Sequence, residues 1–339
     1  MKIHTFEEAI SDSSKFSKRH ALLGNGFSIA CRPKIFVYGR LFEQADFSDL
    51  SPNAKAVFEA LGTQDFERVI KALRDAYKII KVYRGADKAL LETLKKDADG
   101  LRELLVETIA ACHPEHPAEI LESEYESCRK FISHFNNIYT LNYDLLLYWA
   151  QMHTEAGKAP DSDDGFRKPE DDYEAPYVTW EPTNSHNKNM WFLHGALHLF
   201  DAGHEIQKYT WINTGIRLIE QIRDALSREY YPIFVSEGTS TEKMVRIKHN
   251  DYLAKAYRSF SEIQNCLFIY GHSLAQNDDH FLRRIEKGKL KKVYISIFGD
   301  HDTPANKEII ARAKAMQTAR KFGTLEVMLY SAESAKVWG

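Results

Sequence analysis

Long apolar runs are missing from this 339-residue chain. None nears the ~20 residues that a membrane helix requires, so no membrane association is expected. The first residues, Met1-Lys2-Ile3-His4-Thr5-Phe6, lack the apolar stretch of a secretory signal, and the expected location is cytoplasmic. Cysteine is scarce. The four present, Cys31, Cys112, Cys128 and Cys266, stand at long, irregular gaps with no C-x-x-C pair. In a cytoplasmic protein that argues against a disulfide frame and against structural zinc, and predicts buried free thiols. A strong charge of either sign is also lacking. The formal net charge is −3, which gives no basic field to draw nucleic acid, so direct nucleic-acid binding is not expected. No internal repeat is visible.

What remains is ordinary for a globular protein: 44% hydrophobic and 27% charged residues, enough for one large domain or two modest ones. The chain is organised around Tyr139-Thr140-Leu141-Asn142-Tyr143-Asp144. An apolar, β-branched run from Ile138 to Leu141 stops at Asn, Tyr and Asp, and a second apolar run follows at once. That pattern reads as buried strand, tight turn and helix. In open α/β sheets ligands bind at such junctions, which makes Asn142 and Asp144 candidate ligand contacts. A helix N-cap also explains Asp144.

Earlier, His20-Ala-Leu-Leu-Gly-Asn-Gly-Phe-Ser28 runs from an apolar segment into Gly24-Asn25-Gly26. Glycines let backbone turn sharply and approach a ligand, and amides at a helix start attract phosphate. The dinucleotide fingerprint is incomplete, since Ile29 stands at the third glycine position, and a plain turn is the competing reading. From 53 to 135 the chain reads as helical. Thr63 is placed to cap a helix whose apolar stripe is Phe66, Val69, Ile70, Leu73, Tyr77 and Ile80. The charged residues there read as solvated faces. Residues 155–189, crowded with acids between Pro160, Pro169 and Pro176, read as a long polar loop, a candidate lid.

Met190-Trp191-Phe192-Leu193 then predicts a strand that delivers His194 and Gly195 to its end. A structural hydrogen-bonding role for such a histidine competes with a role on a ligand. His198 follows four residues on, but a metal pair at that spacing needs a helix, and no metal is expected. Pro232-Ile233-Phe234-Val235 reads as a strand leading to Ser236-Glu237-Gly238. Cys266 to Tyr270 reads as another, ending in Gly271-His272-Ser273-Leu274 and then Asn277-Asp278-Asp279-His280. Val293 to Ile297 and Leu325 to Leu329 complete the set. Strands alternating with helices imply a parallel sheet. The expected fold is therefore α/β, a Rossmann-like, mostly parallel sheet with helices on both faces, built from residues 1–50 and 131–339. A helical insertion is expected at 51–130.

Taken together, Gly24-Asn25-Gly26-Phe27-Ser28, Thr140-Leu141-Asn142-Tyr143-Asp144, Leu193-His194-Gly195 and Gly271-His272-Ser273 resemble, in order and placement, the motifs of the sirtuin superfamily. That family shows Gly-Ala-Gly-x-Ser, Thr-Gln-Asn-Ile-Asp, His-Gly and Gly-Thr-Ser. Residues 196–270 contain only Cys266, so the zinc module of the deacylases is missing. The resemblance is thus to the bacterial sirtuin-like branch that lacks it, whose members often hydrolyse NAD, frequently as effectors in defence against phage. It implies an NAD glycohydrolase with NAD as substrate and no metal. In that reading Asn142 and His194 act on the ribose and the attacking water. Gly24, Asn25, Gly26, Ser28, Thr140 and Asp144 hold phosphates, ribose and loop, and Gly271 and Ser273 close over the adenosine side. The competing readings are a nucleotide-sensing module without catalysis, and an NAD-dependent deacylase or ADP-ribosyltransferase. Because an NAD-consuming activity is toxic, control by homo-oligomerisation or a regulatory protein partner is expected.

Overall fold

The computed structural model describes residues 2–83, 87–153, 163–182, 189–210, 215–235, 239–320 and 323–339. In chain order its strands are β1 (Ile3–His4), β2 (Arg19–Leu23), β3 (Asn137–Thr140), β4 (Phe166–Arg167), β5 (Tyr177–Trp180), β6 (Met190–Phe192), β7 (Leu199–Asp201), β8 (Ile206–Tyr209), β9 (Gln264–Tyr270), β10 (Lys289–Ile297) and β11 (Glu326–Ser331). Seven of them form one sheet in the order β1-β11-β10-β9-β2-β3-β6. Every pairing in it is parallel. The fold is α/β and Rossmann-like, with helices flanking the sheet.

Near-continuous apolar runs make these strands. Cys266 to Tyr270 and Val293 to Ile297 are buried throughout, as both faces of a parallel sheet are covered. The rings of Phe6, Phe131 and Phe268 meet over one face, with centroids 5.3–6.0 Å from Phe6. Register fixes what happens at the carboxyl edge. Phe192 pairs with Thr140, Thr140 with Leu23, and Leu23 with Tyr270, so four strands end in one row. The chain leaves β2 toward β3 and β6, then returns to the other side of β2 as β9. The point where strand order reverses lies between β2 and β9, and crevices in open α/β sheets form there.

Between β2 and β3 the described residues are helical. The Phe66–Val82 helix buries Phe66, Val69, Ile70 and Leu73, while its far end, at Ile79 and Val82, is exposed. It packs against the Lys88–Cys112 helix. Its cap is Asp65, whose side chain accepts from the Arg68 amide, and not Thr63. Thr63 instead accepts from the Asp65 amide, one step upstream of the helix start. No helix among the described residues is long and apolar enough to cross a membrane.

The stretch read as a polar loop contains structure. β4 and β5 join β8 and β7 in a small antiparallel sheet, order β4-β5-β8-β7. Tyr177-Val178-Thr179-Trp180 carries the β-branched and aromatic residues that favour a strand. Asp164 is buried there and pairs with Lys208 at 2.5 Å. Residues 155–162 and 183–188 of that stretch lie outside the described residues, as do Ser236, Glu237 and Gly238. Phe234 makes an isolated antiparallel bridge to Gly195 in place of the expected strand. All four cysteines are free, with three buried and Cys112 half-buried. Burial pushes the Cys31 thiol up to about 12, which keeps it protonated.

Candidate functional site

At the carboxyl edge the chain turns sharply after each strand. After β3, the Thr140 hydroxyl accepts from the Asn142 amide at 3.0 Å, and Asp144 accepts from the Leu146 amide at 2.9 Å as the next helix begins. Both contacts satisfy backbone donors that the turn leaves without ladder partners. Ser28, from the helix that follows Gly24-Asn25-Gly26, reaches across from β2. Its hydroxyl donates to Asp144 Oδ2 at 2.5 Å and accepts from Asn142 Nδ2 at 2.9 Å. One Nδ2 hydrogen of Asn142 is thereby taken, and Oδ1 and the second hydrogen remain for a ligand. Burial raises the Asp144 carboxyl above its ordinary range, opposed by the Ser28 and Leu146 hydrogen bonds.

The glycines serve the backbone. Gly24 donates its amide to the Tyr270 carbonyl at 2.9 Å, and Gly26 to the Gly271 carbonyl at 2.8 Å. A Cβ on Gly26 would stand 2.5 Å from Gly271 Cα, so the two strand-end loops touch only because both residues are glycine. Of the phosphate cradle expected from Gly24, Asn25, Gly26 and Ser28, the Gly24, Gly26 and Ser28 donors have acceptors inside the protein, and the Asn25 backbone amide does not. Ser28 and Thr140 are buried and support the turn. The Asn25 side-chain amide donates to the Phe36 carbonyl at 3.1 Å, whereas the backbone amides of Asn25, His272 and Ser273 and the Ser273 hydroxyl have no acceptor among the described residues.

His194 follows β6, and Gly195 lets the chain bend behind it. Gly195 has φ +84°, and a Cβ there would lie 1.9 Å from the Ile233 carbonyl oxygen. His194 is 2% exposed, and its Nε2 lies 3.2 Å from His280 Nε2 and 3.7 Å from Asp278 Oδ1. Asp278 is held by His272 at 3.0 Å and by Lys243 at 3.3 Å, and Lys243 is also 3.2 Å from Glu67. Burial lowers His194 well below the usual histidine range, aided by the Lys243 charge. The ring is therefore neutral at pH 7. Burial would raise Asp278, but Lys243 and the His272 hydrogen bond hold it well below the carboxylate range. Burial also raises Glu67 to about 7, against the pull of Lys243.

These groups face one crevice of about 840 Å³. Asn142, Asp144, His194, Gly24, Asn25, Gly26, Gly271 and Ser273 all line it; Ser28 and Thr140 lie behind its wall. The volume is that of a site for a cofactor-sized molecule. Leu105 and Ile109 of the helical region and Trp338 near the carboxyl end supply apolar wall. A second cavity of about 620 Å³, rimmed by Asp46, Asp99 and Glu103, shares none of these residues.

The linear reading missed Glu67, Lys243, Asp278, His272 and His280 as site residues. Glu67 belonged to a helix read as solvated, and it is a correction to that reading. Asn277-Asp278-Asp279-His280 was visible after β9 but carried no role until the fold brought it to His194. His194, Asp278 and His280 each offer a ligand atom within 4.8 Å of the others, a spacing that a divalent ion could bridge. The Lys243 ammonium sits on the same Asp278 oxygen and opposes a second cation there.

The fold and site thus define an α/β protein with a polar-ended crevice at the sheet's switch point. The chain belongs to the family described as Domain of unknown function (DUF4917), whose sequence model matches residues 21–338. No curated protein matches the chain.

Proposed function

We propose that this protein is an NAD glycohydrolase that splits the nicotinamide–ribose bond, a sirtuin-like enzyme without a zinc module. The supporting observation is that Asn142 and His194, 52 positions apart in sequence, line the same crevice at the strand ends. Cleavage builds positive charge on the ribose, as in an oxocarbenium ion. A neutral, buried His194 suits the removal of a proton from attacking water or a ribose hydroxyl. Asn142, with Oδ1 and one amide hydrogen open, suits orientation of the ribose or that water. The products are ADP-ribose and nicotinamide, with water supplying the new hydroxyl. The Asn25 backbone amide and the Ser273 hydroxyl are among the donors offered to the pyrophosphate or adenosine side. The same reading carries a cytoplasmic location, control through a homo-oligomer or regulatory partner, and a role in defence against phage.

The test is purified protein with NAD, followed by product chromatography, beside the Asn142→Ala and His194→Ala variants. Each variant is expected to lose ~10²–10⁴-fold in turnover while keeping its circular dichroism spectrum. Nucleotide binding with no product over hours would make the protein a sensor. Nicotinamide release that requires an acyl peptide or a protein acceptor would make it a deacylase or ADP-ribosyltransferase.

A further inference from the structure

His194 stands 3.7 Å from the Asp278 carboxylate, which is itself fixed by a chain of hydrogen bonds. The Leu274 amide donates to His272 Nδ1 at 2.9 Å, so that nitrogen carries no proton. The ring proton of neutral His272 is then on Nε2, which donates to Asp278 Oδ2 at 3.0 Å. The other carboxylate oxygen, Oδ1, receives the Lys243 ammonium at 3.3 Å and faces His194 Nε2 at 3.7 Å. Lys243 is in turn held by Glu67 at 3.2 Å, and Glu67 accepts from Asn277 Nδ2 at 3.2 Å. The carboxylate therefore has both oxygens fixed, and Oδ1, which bonds Lys243, is also the oxygen nearest His194. His280 Nε2 faces the same His194 nitrogen at 3.2 Å, and two facing ring nitrogens share a single proton. The ring of Tyr143 lies near-parallel to that of His194, with centroids 6.3 Å apart.

A carboxylate beside an imidazole nitrogen favours a proton on that nitrogen, and so sets the tautomer. We propose that Asp278, clamped by His272 and Lys243, is a positioning residue that keeps the His194 proton on Nε2 and leaves Nδ1 to accept a proton from the substrate side. This rests on the reading of His194 as the base. It adds that Glu67 and Lys243, from two helices outside the sheet, belong to the machinery through Asp278. When His194 takes a proton at Nδ1, the resulting imidazolium lies against the Asp278 carboxylate. That proton comes from the attacking water or a ribose hydroxyl, and no oxidant or further reactant is needed.

The experiment is nitrogen NMR of the full chain carrying isotope-labelled histidine, with His194 assigned by its loss in His194→Gln. The expected spectrum shows His194 neutral at pH 7 and protonated on Nε2. In Asp278→Asn the tautomer mixes or inverts. The same variant loses at least about tenfold in kcat with KM changed less than about threefold, and Asp278→Glu restores part of the loss. Wild-type protein with the proton on Nδ1 would overturn the proposal without any variant being made. So would wild-type kcat, pH profile and tautomer in Asp278→Asn, or a stoichiometric metal ion found on purified protein and lost in His280→Ala. The ring spectrum does not require turnover. If NAD is untouched but the Nε2 tautomer depends on Asp278, the glycohydrolase reading fails and the positioning role stands.

Discussion

Ser28 donates its hydroxyl to Asp144 across 116 positions of sequence, from the helix after β2 to the turn after β3. The same oxygen receives Asn142, so one hydroxyl sets two side chains that face the crevice. Ser28→Ala would leave a buried carboxylate short of a partner and Asn142 free to rotate. The expected cost is ~1–3 kcal/mol in stability, read from denaturant midpoints. If the proposed glycohydrolase activity holds, a larger fractional loss in turnover than in binding should accompany it. Unchanged stability and turnover would mean that the bridge is incidental.

Two glycines with left-handed backbone should respond differently to alanine. Gly195 combines φ +84° with a carbonyl 1.9 Å from the would-be Cβ, whereas Gly62, at φ +57°, has nothing within 4 Å. Gly62→Ala is expected to cost ~1 kcal/mol, the conformational penalty alone. Gly195→Ala should cost at least ~2 kcal/mol and move His194, whose carbonyl receives the Val235 amide. Equal denaturation midpoints for the two variants would contradict this.

The buried pair of Lys208 and Asp164 ties the antiparallel sheet together, with the ammonium 4.9 Å from the Phe166 ring centre and 5.1 Å from that of Tyr148. Removing one partner strands a charge. Lys208→Met alone should cost ~3–5 kcal/mol, and adding Asp164→Leu should recover most of it. A double-mutant cycle on thermal unfolding reads the coupling. Additive losses would show that the two charges act separately.

Stability should fall as pH drops below neutral. Burial holds His20, His113 and His280 at about 4, and His194 and His198 well below their ordinary value. The unfolded chain binds protons at these histidines near ~6.5, while the folded chain does not until about 4 or lower. Each such group removes up to ~1.4 kcal/mol per pH unit across that window. Glu67, raised to about 7, works the other way, since the folded state gains a proton first. Five histidines outweigh it, and calorimetry should show Tm falling from pH 7 to pH 5. A flat Tm over that range would refute the neutral burial of these rings.

Much of this was legible in the sequence because parallel strands buried on both faces leave unbroken apolar runs. Cys266 to Tyr270 and Val293 to Ile297 announce themselves in that way, and polar residues at their ends mark the crevice edge. Other features depend on partners that sequence order hides. Lys243 and Glu67 are 176 positions apart, so neither reads as part of a site until the fold joins them. Gly26 looks the same in sequence whether it makes room for a phosphate or for Gly271. β4, with two residues, and β5, set among acids and prolines, are too short for periodicity to separate from loop.

The order of the strands bears on how the protein matures. One bank of the crevice comes from residues near 24 and 142, and the other needs β9, which arrives only after residue 264. Long-range parallel pairings of this kind form slowly, because distant segments must be brought together before contact rewards them. A chain still emerging from the ribosome would hold Asn142 and His194 without the Gly271 loop opposite them. Whatever the pocket does is thus withheld from nascent protein and begins only when β9 and the strands beyond it have docked.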